Sequence, residues 1–473
     1  MIGKRGRAIR WLATVSGIVL TAGISAESAV YEVGPGKDLR SIGDVPWELL
    51  QAGDVVRIHW REEPYHEKFV IAAQGTAAAP IVVTGVPGAG GALPVLDGRG
   101  ATTRTALAYG AGARGVIKIG ASTVPADVMP RHIIVENLEI RSARQPYTFV
   151  GPDGSEAAYQ KNASAIYLEK GEHITIRNCV FHDCGNGFFC ARSSADVLVE
   201  GCRIYGNGAE GSIYEHNNYT SANGILFQYN YFGRLREGCG GNNLKDRSAG
   251  TVIRYNWING GNRQLDLVES GSMRAHPSYR DTHVYGNVLV EFDGEGNRQM
   301  IHYGGDNGRE ETYRKGTLHF YNNTVVSTRT GRTTLLRLST KDERADVRNN
   351  IIYTTAPGAN LDLLSTSGRL ELRNNWLKAG WVAEFGSETD GSVVDGGGNV
   401  TGDDPGFLDF AAQNFSLRHD SPCSDISTDP ATGHPVLKEY VRHRRSRPRP
   451  AAGPLDAGAY ERPIDRPNEG GGS

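Results

Sequence analysis

One short phrase returns along this chain and restricts what it can fold into. It reads apolar-x-apolar-x-Asn-Asn-x-apolar: Ile174-Thr-Ile176-Arg-Asn178-Cys-Val-Phe181, Leu318-His-Phe320-Tyr-Asn322-Asn-Thr-Val325 and Leu370-Glu-Leu372-Arg-Asn374-Asn-Trp-Leu377. Looser copies carry Asn137, Gly201-Cys202, Asn230, Asn256, Asn287 and Asn349-Asn350. The second residues of the pairs fall at 138, 179, 202, 230, 256, 287, 323, 350 and 375, and most intervals lie between 23 and 31 residues. A period of that size describes a unit that cannot bury its apolar face alone and must stack on its neighbours. The alternation within each phrase has period two, so the unit is a coil of short strands rather than a helix pair.

The Asn has a mechanical use at such a corner. It tolerates the left-handed backbone a sharp bend requires, and its side chain can bond the local backbone. Stacked roughly 4.8 Å apart on successive coils, Asn amides can also bond one another along the rod. Composition agrees: 61 of 473 residues are Gly, about 13%, against a usual ~7%. The expected fold is all-β, a right-handed parallel β-helix with an N-terminal cap and an irregular C-terminal closing segment.

Four zones follow. Residues 1–26 read as a secretory signal peptide: Lys4, Arg5, Arg7 and Arg10 precede an apolar run from Trp11 to Ile24 and then Ser25-Ala26. Its removal leaves 47 basic against 53 acidic residues, a charge of about −6. That balance argues against nucleic acid as a partner, and no membrane span is expected after cleavage. Residues 27–130 hold strands between Gly/Pro corners, with a short helix near Trp47 to Gln51 as cap. Residues 131–400 hold the regular coils. Residues 401–473 close the rod and include a basic loop, Arg442 to Pro450, read as solvated or else as a glycan-binding patch, and a disordered tail. The six Cys could form a disulfide in an oxidising compartment, with partners that spacing does not assign. Cys179 and Cys202 share one repeat position and are expected to stack as small apolar groups.

Between the Asn-marked strands each coil holds another strand, where chemistry could gather. Period two puts Asn243, Lys245 and Arg247 on one outward face. His216 is expected one coil before them, Asp266 or Glu269 one coil after, then His302 or Tyr303, then Arg337. Such a strip suits a polymer lying lengthwise. Elimination in a uronate polymer requires a cation to neutralise the carboxylate, a base for the adjacent proton and a donor for the departing oxygen. Lys245 is expected as the base, Arg247 as the cation, and His216 or Tyr219 as the donor, with the other residues of the strip binding substrate. Glycoside hydrolysis by paired carboxylates such as Asp266 and Glu269, and glycan binding without catalysis, are the alternatives.

The phrases Ala52-Gly-Asp-Val-Val56, Gly75-Thr-Ala-Ala-Ala-Pro-Ile81, the Asn-Asn coils, Asp404-Pro-Gly-Phe407 and Asp456-Ala-Gly-Ala-Tyr-Glu461 resemble secreted right-handed parallel β-helix proteins of the pectate-lyase-like superfamily. The N-terminal half most resembles the alginate lyase and chondroitinase B group. The resemblance implies an enzyme acting on an anionic polysaccharide, most simply a lyase. The signal peptide makes a secreted or periplasmic location the expectation, and a monomer is expected. Its catalytic pair does not transfer: Arg247-Ser248 stands where that group has Lys-Ser, and Asp266-Leu-Val-Glu269 stands where it has Arg-His-Gly. Calcium enters only through the resemblance, with no ligand set, so the metal stays unknown.

Overall fold

The computed structural model describes residues 28–384, 390–450 and 453–462. The signal segment 1–26 and the Gly-rich tail expected at 470–473 lie outside them. Each coil contributes a strand to three walls of a rod. The first wall stacks, among others, Gly115–Ile119, Leu244–Asp246, Leu265–Leu267, Gln299–Tyr303 and Thr333–Leu338. The second includes Ile81–Val86, Arg131–Glu136, Ala249–Arg254, Asp281–Tyr285 and Thr317–Tyr321. The third is an eleven-stranded sheet from Val95–Asp97 to Val400–Gly402. These stacked pairings are parallel, and second-wall pairing is continuous from Val30–Val33 through Val55–His59 into Ile81–Val86 and Arg131–Glu136. Inward residues such as Leu265, Leu267, Ile301, Val284 and Phe320 form one core along the rod.

The Asn phrase builds the corner between the second and third walls. Its first residue is left-handed throughout: φ is +54° at Asn178, +58° at Tyr229, +52° at Tyr255, +50° at Asn322, +58° at Asn349 and +53° at Asn374. Its second residue turns inward and makes a ladder. Asn230, Asn256, Asn287, Asn323, Asn350 and Asn375 each donate both the backbone N–H and the side-chain Nδ2 to the Oδ1 of the next Asn, at 2.8–3.1 Å, ending on Asn399. Cys179 and Cys202 occupy the same position on earlier coils, both fully buried. All six cysteines are free thiols, so the disulfide considered above does not form.

The short helix expected near Trp47 to Gln51 is the 3-10 turn Trp47–Leu49, preceded by a second at Ile42–Asp44, with Trp47 stacked on Phe69 at 3.8 Å. The basic segment is not a loose loop but the hairpin Lys438–Val441 with Arg445–Pro448. Its neighbour Arg449 is buried against Glu461 at 2.5 Å. This closing segment folds back along the rod, where Phe407, Phe415, Tyr440 and Tyr460 cover Trp257, Val288 and Trp376 of the third wall. Among the described residues no helix is long and apolar enough to cross a membrane.

Candidate functional site

Register on the first wall decides which side chains meet. Lys118, Tyr167, Phe189, Tyr219, Lys245, Asp266, His302, Arg337 and Ser365 occupy one row, each directly paired with the next. Lys245, Asp266, His302 and Arg337 therefore come together as the sequence suggested. The residue one coil before Lys245 is Tyr219, not His216, because the chain from Gly206 to Asn217 is irregular and the strand starts only at Asn218.

Asp266 is the hub of the row. Its Oδ2 accepts from Lys245 Nζ and from Asn242 Nδ2 (2.7 Å), and its Oδ1 faces His302 Nδ1 at 2.9 Å. His302 Nε2 in turn reaches Ser339 Oγ at 2.8 Å, a hydroxyl that also bonds the N–H and C=O of Gly305. Burial alone would raise the Asp266 pKa, but Lys245 and His302 outweigh it and hold the carboxyl well below its usual range. Burial pushes His302 the other way, down from its ordinary value, with Asp266 opposing. Asp266 and His302 are fully buried, so they position Lys245 rather than meet a polymer as expected. Asp266, His302 and Asp306 have ligand atoms within 4.8 Å of one another, with Lys245 already paired to Asp266 Oδ2.

Arg247 follows the strand and is clamped by two neighbours. Its Nε donates to the Tyr219 hydroxyl at 3.0 Å, and its Nη1 donates to Glu269 Oε1 at 2.5 Å and to the Glu269 carbonyl at 2.6 Å. Burial opposes its charge, yet Tyr219 and Glu269 outweigh that and raise its pKa above the ordinary value. Glu269, 1% exposed, is thus an anchor for Arg247.

Two expected site residues are placed elsewhere, and a third, His216, is shielded from solvent. Asn243 is fully buried, since the strand begins one residue later. Its Nδ2 donates to the Asn259 carbonyl at 2.7 Å and its Oδ1 accepts from Asn217, closing another corner. Tyr303 points inward and joins the core, as period two requires once His302 points out. His216 sits beside the row, 2% exposed, its ring edge-on to Tyr219 with centroids 5.4 Å apart and its Nδ1 accepting the Asn242 N–H at 2.9 Å. Burial, reinforced by the Lys245 charge, pushes its pKa down to about 3. A neutral imidazole of that kind is no proton donor at neutral pH; it fixes Asn242, which in turn holds Asp266. The Gly240-Gly241 approach has a packing cause, because a Cβ at Gly241 would fall 1.8 Å from the Glu215 carbonyl.

In front of Tyr219 and Arg247 lies a cleft of about 410 Å³. Tyr167, Phe189 and Tyr219 form one side, with ring centroids 5.4 and 5.2 Å apart. Arg114 lies 4.8 Å over the Tyr167 ring and 4.7 Å over Phe189. Arg192 and Arg309 complete a lining of four arginines against one carboxylate, that of Glu269, which Arg247 already holds. Lys245 stands next in the row, 8% exposed. Tyr167 and Phe189 follow from period two as outward strand residues, but neither carries a charge that would mark it in the sequence. Arg114 and Arg309 come from connecting segments, and no periodicity marks them.

The family model "Right handed beta helix region" matches residues 131–289. The rod superposes on the pectate lyase Pel9A with a TM-score of 0.51, at 13% identity over 93% of this chain and 98% of that one. It superposes on a GH136 lacto-N-biosidase from Eubacterium ramulus with a TM-score of 0.50, at 14% identity over 80% of this chain and 68% of that one. The chain folds as a right-handed parallel β-helix. A lyase and a glycosidase share that fold, so chemistry rests on the site. No curated protein sequence matches the chain.

Proposed function

We propose that this β-helix is a secreted or periplasmic enzyme that binds an acidic polysaccharide along its first wall and cleaves it by β-elimination. The observation that carries the reading is the cleft itself, with four arginines around an aromatic row that continues into Lys245. An excess of fixed positive charge selects an anionic polymer, and flat aromatic faces suit the apolar faces of sugar rings.

Roles follow from the contacts. Arg247, oriented by Glu269, neutralises the uronate carboxylate so that charge can build on the neighbouring carbon. Tyr219, whose oxygen faces Arg247 Nε, takes the carbon-bound proton as its phenolate, having first given up its own proton to solvent. Lys245, tied to the ionised Asp266, gives a proton to the departing oxygen. This exchanges the base role expected of Lys245 for that of donor, because its partner is an anion. The same pairings disfavour hydrolysis by Asp266 and Glu269, since both carboxylates are buried and committed to cations.

The test is a panel of alginate, chondroitin, heparin-like, pectic and bacterial acidic polysaccharides, read by the ultraviolet absorbance of the unsaturated ends that elimination creates. The wild type is expected to generate that signal on one of them, with Tyr219→Phe and Lys245→Ala reduced by about 10²–10⁴-fold. New reducing ends without absorbance would replace elimination by hydrolysis. Retention of polymer without cleavage would leave a binding protein.

A further inference from the structure

The second wall carries a cluster that the polymer site does not use. His283 and His319 are paired across adjacent coils, and Asp346 follows in the same row one coil on. Their rings stack with centroids 4.8 Å apart and planes within 13°. Asp281, which opens the His283 strand, sets one carboxylate oxygen 3.3 Å from His283 Nε2 and the other 3.2 Å from His319 Nε2.

The geometry points to a site for a divalent transition ion of the Zn²⁺ class, held by His283 Nε2, His319 Nε2 and the Asp281 carboxylate, with solvent in the fourth position. The three ligand atoms lie within 4.8 Å of one another. The two carboxylate–imidazole separations are long for charge-assisted hydrogen bonds, which run about 2.7–2.9 Å. They match the ~3.3 Å between neighbouring ligands of a tetrahedral ion with bonds near 2.0–2.1 Å. Two imidazoles and a carboxylate form a donor set that zinc accepts and that a hard, oxygen-seeking ion such as Ca²⁺ does not prefer.

Independent observations support the site. His283 is 5% exposed and its Nδ1 is buried with no hydrogen-bond partner among the described residues, so the Nε2 that faces Asp281 is the ring atom open to an ion. Asp346 Oδ2 stands 3.6 Å from His319 Nδ1, beyond hydrogen-bond distance but on the side from which a carboxylate orients a metal-bound imidazole, and Arg348 holds Asp346 at 2.6 Å. Asp281 is largely exposed, which gives an ion a way in. The His434 ring, on the closing segment, packs 4.1 Å from His283. That segment is fastened to the same wall by Tyr321 Oη donating to the His434 carbonyl at 2.8 Å and Leu437 N–H donating to Tyr255 Oη at 2.9 Å. An ion at Asp281 would therefore link two coils directly beneath the segment that closes the rod.

Equilibrium dialysis of the tag-free full chain against Zn²⁺, with metal counted by mass spectrometry, tests this. The wild type is expected to retain one Zn²⁺ per chain and to show a higher Tm with Zn²⁺ than with chelator. His319→Ala and Asp281→Asn are expected to lose the ion, and Asp346→Asn to bind it about 10–100-fold more weakly. Co²⁺ in place of Zn²⁺ is expected to give the visible absorption of a tetrahedral site. No retained Zn²⁺ in the wild type, or equal retention by folded His319→Ala and Asp281→Asn, would overturn the site. Neither outcome bears on the polymer cleft.

Discussion

Two rows of polar side chains run along this rod, and they differ in kind. The corner ladder repeats one residue from Asn230 to Asn399, every rung giving two N–H groups to the next oxygen. An amide is donor and acceptor at once, so a stack of amides satisfies itself without charge and without water. The first-wall row changes at every step, from Phe189 through Tyr219, Lys245, Asp266 and His302 to Arg337. Unlike residues need partners across coils, and the result is a chain of ion pairs that opens on an arginine-lined cleft. Repetition of one residue marks architecture here, and the proposed chemistry rests on the row that changes.

The comparison can be broken at either row. The largest effect is expected from Asp266→Ala, which strands Lys245 and the buried His302 without their anion. The loss should be about 3–5 kcal/mol in urea unfolding, together with activity. Tyr219→Phe removes the acceptor of Arg247 Nε and should cost about 1–2 kcal/mol of stability, while turnover of a cleaved polymer falls by about 10²–10⁴-fold. Asn323→Ala inverts that pattern. It leaves the Asn287 N–H and Nδ2 without their acceptor and should cost roughly 2–3 kcal/mol with activity per folded molecule unchanged. If Asn323→Ala damages turnover as severely as Tyr219→Phe, the division between the rows fails.

Acid offers a milder probe. An unfolded His takes up a proton below a pKa of about 6.5, whereas folded His216 resists protonation down to about 3. Between those values the unfolded state binds more protons, so stability falls as pH drops. From pH 6.5 to pH 5 this one group should remove about 2 kcal/mol. His216→Gln, which keeps an acceptor for Asn242, should show a shallower decline in urea midpoints over that range. The smallest effect is expected from Phe189→Ala: loss of one stacking face worth about 0.5–1.5 kcal/mol, read as a several-fold rise in KM.

The corner was legible in the sequence because its signal is local: a left-handed first residue and an inward second residue recur in one phrase. The wall was legible only where strands are regular. Lys245, Asp266, His302 and Arg337 fell into one row because period two holds inside their strands. It failed at Asn243, one residue before a strand, where the chain is still turning. It also failed at His216, where the irregular stretch Gly206 to Asn217 shifts the strand start and puts Tyr219 in the row. Arg114 and Arg309 reach the cleft from connecting segments, and only the folded chain shows that.

The most direct test of the central claim is a crystal structure of Tyr219→Phe with an acidic oligosaccharide taken from the polymer that the wild type cleaves. The sugar is expected to lie along Tyr167, Phe189 and residue 219, with one carboxylate against Arg247 and a glycosidic oxygen facing Lys245 Nζ. A ligand bound to another wall, with Arg247 and Lys245 untouched, would contradict the account.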